Sequence, residues 1–188
     1  MLTAMRFVEV TLAAPAALLP ELDRFYDGMT GETTLRFRAG KGDPFYHFAL
    51  LVPGDRFDAA HAWADARFEL VGGVFEFENW DARAVYFLDP AGNIVELIAH
   101  CGLEENGREG KFDAAEIVDF SELGLVGNRR ENLRMSGLPL WSGTLDDPEG
   151  LAFVGEKGRT LILAEEGRGW LPTGRPAEPH PVEFELEA

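Results

Sequence analysis

Residues 44–100, PFYHFALLVPGDRFDAAHAWADARFELVGGVFEFENWDARAVYFLDPAGNIVELIAH, read as one β-α-β-β-β unit. FYHFALLV has the apolar and aromatic make-up of a strand, and Pro53 with Gly54 turns the chain into DRFDAAHAWADAR. There Phe57, Ala60, Trp63 and Ala64 recur at helical spacing. A short strand in VFEFEN, a clear one in ARAVYFLD and a last one in NIVELIAH complete the unit. The last two are joined by Asp89-Pro90-Ala91-Gly92-Asn93. In that turn Pro90 presets φ at the first position, Asp89 accepts turn amides and Gly92 takes the positive φ that other residues avoid.

Working outward, RFVEVTLA reads as a strand, and the stretch after it carries Leu18, Leu22, Phe25, Tyr26 and Met29 at helical spacing. TTLRFRAG adds one strand before the break at KGDP, so residues 1–43 form a shortened βαβ module beside the complete module 44–101. Residues 102–113 have little to bury and read as a linker. Residues 114–188 start a third, divergent βαβββ unit, with strands in EIVDFSELGLVG, GLAFVGE, RTLILAEE and PVEFELEA and a helix in NRRENLRMSG closed by Gly137. The expectation is an α+β fold in which repeated βαβββ modules, paired over residues 1–101, form a cupped mixed sheet with helices outside.

The chain has 33 acidic and 17 basic residues for a net charge of -16, spread along its length. That charge repels nucleic acid and anionic lipid and serves solubility. No run approaches the roughly 18–20 apolar residues needed to cross a bilayer, and MLTAMRFVEV lacks the features of a signal peptide, so no membrane partner and a cytoplasmic location are expected. The one cysteine, Cys101, fits a reducing compartment and reads as a packed thiol. Phosphate loops, serine elbows and HExxH are absent from the sequence.

The first strand of each unit carries the same small pattern: Glu9-Val-Thr-Leu12, His47-Phe-Ala-Leu50 and Glu122-Leu-Gly-Leu125. Alternation places Glu9 on the face of Phe7 and Thr11, and His47 on the face of Phe45 and Ala49. In the last strand of the second unit Glu96 shares a face with Ile94, Ile98 and His100. An ionisable group in a sheet that is apolar on both faces is expensive unless paired or metal-bound. His100 lies about 13 Å beyond Glu96 along the strand and reads as a rim residue. His47 meets Glu96 if the first and last strands of the unit are neighbours, and Glu9 joins them if the first unit supplies the other half of the cup. Glu9, His47 and Glu96 would suit a borderline or hard divalent cation with open positions, of which Mn, Ni, Zn and Fe are the candidates. The blander reading is a hydrogen-bonded core histidine and two solvent-facing glutamates. In the third unit Glu122, with Glu183 or Glu185, repeats the pattern without a histidine close by in the sequence, which favours a structural role.

FYHFALLVP, followed about forty residues after its start by VYFLDPAGNIVELIAH, resembles the second module of the vicinal-oxygen-chelate superfamily of glyoxalases, bleomycin-resistance proteins and extradiol dioxygenases. SELGLVG and GRGWLPTG are similar to the C-terminal extension of a bacterial branch. The resemblance implies a cup of two βαβββ modules around a metal that chelates two neighbouring oxygens of a small-molecule substrate. By position it implies Glu9, His47 and Glu96 as ligands. The first module departs from the pattern, because TTLRFRAG places Leu35, Arg36 and Phe37, and no carboxylate, where a fourth ligand would stand.

One histidine with two glutamates, in place of two histidines and one carboxylate, points to lyase or isomerase chemistry, with Glu9 doubling as the catalytic base. Phe45, Asn79 and Trp80 are the expected substrate contacts; Phe37 and Tyr86 fit ordinary core packing better. The competing readings are a metal-free sequestration protein of the bleomycin-resistance type and a ring-cleaving dioxygenase. A shortened first module also leaves sheet edges and apolar surface to be covered by the third unit or by a second copy, which makes a homodimer one expected partner.

Overall fold

The computed structural model describes residues 5–147 and 149–187. In chain order they form β1 (Arg6–Ala14), α1 (Leu19–Phe25), β2 (Thr34–Ala39), β3 (His47–Leu51), α2 (Phe57–Asp65), β4 (Phe75–Phe77), β5 (Ala82–Leu88) and β6 (Ile94–His100). Then follow β7 (Phe120–Val126), α3 (Arg129–Ser136), β8 (Leu140–Gly143), β9 (Ala152–Glu156), β10 (Arg159–Ala164), β11 (Gly169–Trp170), β12 (Arg175–Pro176) and β13 (Val182–Glu187). No helix among the described residues is long and apolar enough to cross a membrane.

The Asp89–Asn93 turn sets the register at the centre of the fold. Asp89 Oδ1 accepts the amides of Ala91 and Asn93, and Gly92 stands at φ +79°. Asn93 Oδ1 accepts the amide of Tyr46 at 2.8 Å, which holds the start of β3 beside the start of β6. The two strands run parallel with His47 opposite Ile94 and Ala49 opposite Glu96.

The β-α-β-β-β order occurs twice. β3, α2, β4, β5 and β6 give the strand order β4-β5-β6-β3, and β7, α3, β8, β9 and β10 give β7-β10-β9-β8. Antiparallel pairing of β3 with β7 joins them into one eight-stranded sheet. The sheet is curled so that its ends meet. Trp80, just beyond β4, packs on Phe153 of β9 with ring centroids 4.4 Å apart and donates Nε1–H to Ser142 Oγ of β8 at 3.1 Å. The α+β cup with helices outside agrees with the sequence reading. Phe48, Leu50, Leu97, Leu123 and Leu161 pack outward against the helices and β1, and Ala49, Ile94, Ile98, Tyr86 and Ile162 pack inward.

The partner of the 44–100 module differs from the expected one. β1 lies between β2, parallel, and β13, antiparallel, in a separate three-stranded sheet, and the other half of the cup is 120–164. β13, expected as the last strand of the third unit, alternates Val182, Phe184 and Leu186 with Glu183, Glu185 and Glu187. That is the pattern of a strand with one wet face, whereas Thr-Leu-Ile-Leu-Ala of β10 is apolar on both faces and is buried on both. The wet face of the small sheet carries ion pairs, Arg36–Glu9 at 2.9 Å and Arg38–Glu183 at 2.6 Å. Exposed pairs of this kind contribute about 0–1 kcal/mol each, and charges on β2 and β13 guard those edges against further strand pairing.

The expected linker is pinned. Buried Arg56 donates to the carbonyls of Arg108, Gly110 and Lys111 and pairs with Glu116 at 2.9 Å. Cys101, expected as a packed thiol, is exposed.

Candidate metal centre

Inside the cup, His47 on β3, Glu96 on β6 and Glu122 on β7 converge. All three are buried, and each offers a ligand atom within 4.8 Å of the others. The pairing of β3 with both neighbours does this: Ala49 lies between Glu96 on one side and Glu122 on the other, and His47 is the next inward residue along β3.

His47 Nδ1 lies 3.1 Å from the carbonyl oxygen of Ile94. A carbonyl only accepts, so that nitrogen carries the hydrogen and Nε2 is left as a lone pair. Burial pushes the pKa of His47 down to about 4, against the opposing pull of the Ile94 carbonyl, so the ring is neutral near pH 7. Its Nε2 stands 3.5 Å from Glu96 Oε2. Burial first, and the neighbouring Glu122 second, raise the Glu96 pKa well above the ordinary carboxylate range, while Tyr86 donates to its carboxylate and partly offsets this. Tyr86 faces Glu96 directly across the β5–β6 pair. Glu122 is pushed up by burial to about 8.

Two further residues complete the surroundings. Thr160 of β10 stands opposite Glu122 in the parallel β7–β10 pair. Its hydroxyl is fully buried and has no hydrogen-bond partner among the described residues. Trp170 packs with its ring 5.0 Å from that of His47. Gly124 makes room for it, since a Cβ there would meet the indole at 2.9 Å.

The two modules are related residue by residue. His47 opposite Ile94 corresponds to Glu122 opposite Thr160, so Glu96, two residues beyond Ile94, corresponds to Ile162. The cup therefore presents three ionisable positions and one apolar one. The donor set fits a divalent cation: one imidazole nitrogen with its lone pair free and two carboxylates suit Mn, Fe, Ni or Zn. Ligands about 2.0–2.2 Å from one ion stand up to roughly 4.4 Å apart, so small side-chain adjustments close the group. Two buried carboxylates without a countercharge are costly otherwise, by several kcal/mol per ion if both ionise.

Of the residues expected from sequence, His47 and Glu96 meet as anticipated and Glu9 does not join them. A bulge between Phe7 and Glu9 turns Phe7, Val10 and Leu12 inward together and leaves Glu9 on the wet face of the small sheet, paired with Arg36. Its place is taken by Glu122, and the signal was present in the sequence, since ELGL repeats HFAL. Phe45 is buried in the cup, with the Arg175 guanidinium 3.4 Å from its ring centre. Asn79 is exposed, and Trp80 joins the two ends of the sheet. Phe37 stacks on Tyr26 outside the cup. His100, expected at a rim, is fully buried and neutral, with its pKa pushed down to about 4.

No protein-family model and no curated protein matches the sequence. Solved structures match the fold. Glyoxalase I from Zea mays superposes with a TM-score of 0.52 at 13% identity, over 86% of this chain and 67% of that one. A protein from Bacillus subtilis subsp. subtilis str. 168 described as a candidate dioxygenase gives 0.56 at 14% identity, over 86% and 64%. The chain thus spans about two thirds of the length of either. Its architecture is the fold of glyoxalase I.

Proposed function

We propose that His47, Glu96 and Glu122 hold a divalent metal ion and that the protein is a lyase- or isomerase-type enzyme acting on a small substrate chelated through two neighbouring oxygens. The observation that carries this reading is the convergence of three buried ionisable side chains, two of them carboxylates, on one point of an apolar cup. The likeness to glyoxalase I supports it at the level of fold. A bound ion supplies Lewis acidity that stabilises negative charge on the substrate oxygens.

The chain's own residues supply the rest. His47 is oriented by the Ile94 carbonyl and Glu96 by Tyr86. Glu122 is the proton acceptor in this scheme, its carboxylate ionised by the bound cation, and it takes the part that sequence reasoning gave to Glu9. Thr160, beside it, offers a hydroxyl to a substrate oxygen. Trp170 and Phe45 keep bulk water from the centre.

Two carboxylates with one histidine weigh against the ring-cleaving dioxygenase reading. Metal-free sequestration in the cup remains the second reading, favoured by Ile162 at the fourth position. The distinguishing experiment follows exchange of the proton next to the carbonyl of small α-hydroxycarbonyl compounds in heavy water, with stripped and metal-loaded protein. Exchange that needs the metal and is lost in Glu122→Gln is the expected result. Tight ligand binding with no metal response would transfer the cup to the sequestration reading. A homodimer remains part of the proposal, and light scattering reporting a monomer would remove it.

A further inference from the structure

Next to the centre lies a cavity of about 490 Å³ whose lining includes both His47 and Trp170. This is within the range of small-molecule sites, roughly 300–1,000 Å³. Its apolar side comes from three elements: Val126 at the end of β7, Phe184 and Leu186 on the dry side of β13, and Met135 of α3 at the rim, 70% exposed, while Asn132 and Ser136 of α3 add uncharged polar groups. No Lys or Arg lines it, and its carboxylate, Glu178, lies 3.3 Å from His180. An anionic group placed here would meet Glu178 with no lysine or arginine in the lining, the neighbouring Arg175 guanidinium being stacked on Phe45, within a chain of net charge -16. The β11–β12 hairpin seats Trp170 against Gly124, so the indole is shared between the cavity and the centre.

We propose that this cavity takes the uncharged apolar body of the substrate, which makes the substrate class an uncharged vicinal-oxygen compound bearing an aryl or alkyl group. The inference rests on the metal reading above. Phosphate-bearing carriers and carboxylates are disfavoured by the same lining. β13 acquires a role in it: the strand completes the small sheet and walls the substrate side of the centre.

The test uses the full chain loaded with zinc, which is redox-silent, and catechol as the vicinal-oxygen probe, measured by calorimetry. 4-tert-Butylcatechol should bind about tenfold more tightly than catechol, from partial burial of its added carbons, and 3,4-dihydroxybenzoate should bind more weakly than catechol. Val126→Trp, which fills the cavity, should erase the alkyl gain while zinc and catechol still bind. Met135→Glu, at an exposed rim position that folding tolerates, should reduce the gain as well. Equal affinities for catechol and its butyl derivative in zinc-loaded protein would overturn the proposal and leave the metal reading standing. So would an alkyl gain that survives both substitutions. Failure of the wild type to bind zinc at all would overturn the metal reading and this proposal with it.

Discussion

His47 and Glu96 meet diagonally across parallel neighbouring strands, with Nε2 3.5 Å from Oε2. A lone pair and an ionised carboxylate repel at that distance, so the contact requires a proton or a cation between them. Burial and Glu122 favour the proton on Glu96 in the stripped protein, and a bound metal ion would replace it. Glu96→Gln should therefore weaken metal binding by more than the roughly 10–100-fold seen when an outer partner of a ligand is lost. It should also leave the stripped protein as stable as the wild type or more so at pH 8. Calorimetric titration with zinc and thermal melts of both proteins check this. Unchanged zinc affinity would make Glu96 a structural residue.

The carboxylates give the stripped protein a characteristic pH dependence. Glu122 titrates at about 8 in the folded chain and near 4.5 when unfolded. The folded state thus keeps a proton that the unfolded state gives up, and this stabilisation is complete below pH 4.5 and lost as the pH rises through 8. His47, held neutral by burial down to about pH 4, opposes folding only below pH 6.5, where the unfolded ring charges. Between pH 6.5 and 8 the stripped protein should lose about 2 kcal/mol for one such proton. Glu122→Gln should make that slope shallower in denaturant titrations, the remainder belonging to Glu96, which burial also keeps protonated. An equally steep slope in the variant would contradict the assignment.

Thr160 carries a buried hydroxyl with no partner among the described residues, beside Glu122. An unsatisfied group of this kind costs about 1–3 kcal/mol. Thr160→Val keeps the shape and removes the cost, so the stripped protein should gain about 1 kcal/mol, or about 2–4 °C in Tm. Zinc should bind as before, since Thr160 is not a ligand. A loss of stability would show that the hydroxyl is already satisfied in the folded protein.

The 44–100 module was legible in the sequence because its signals agree. The DPAGN turn, the Phe57–Ala64 stripe and the strand lengths all demand one arrangement, and Asn93 converts the turn into the register that brings His47 to Glu96. The other half of the cup was misassigned because strand pairing is non-local. Residues 6–14 carry a strand as good as any other, and alternation alone does not reveal the bulge that turns Glu9 outward. The contrast between one-sided β13 and two-sided β10 is a local pattern that separates them. Glu122 was visible as the repeat of His47-Phe-Ala-Leu50 but lacked a histidine nearby in sequence, and its histidine arrives across the β3–β7 pair. Thr160, opposite Glu122, had no sequence signal of its own, and GRGWLPTG drew notice without revealing that Trp170 reaches His47 through the space left by Gly124.

Binding of one divalent ion by His47, Glu96 and Glu122, as proposed, would couple metal to folding. The most direct measurement is the melting temperature of chelator-stripped protein, followed by fluorescence of its four tryptophans, against added zinc, manganese, nickel or iron(II). At a hundredfold excess over Kd, binding to the native state alone adds about 2.7 kcal/mol, which for a chain of this length is a rise of about 5–11 °C. That rise is expected in the wild type and in Glu9→Gln, whose carboxylate lies outside the cup, and is expected to be lost in His47→Ala. Melting curves that coincide for wild type and His47→Ala at every concentration of every metal would contradict it.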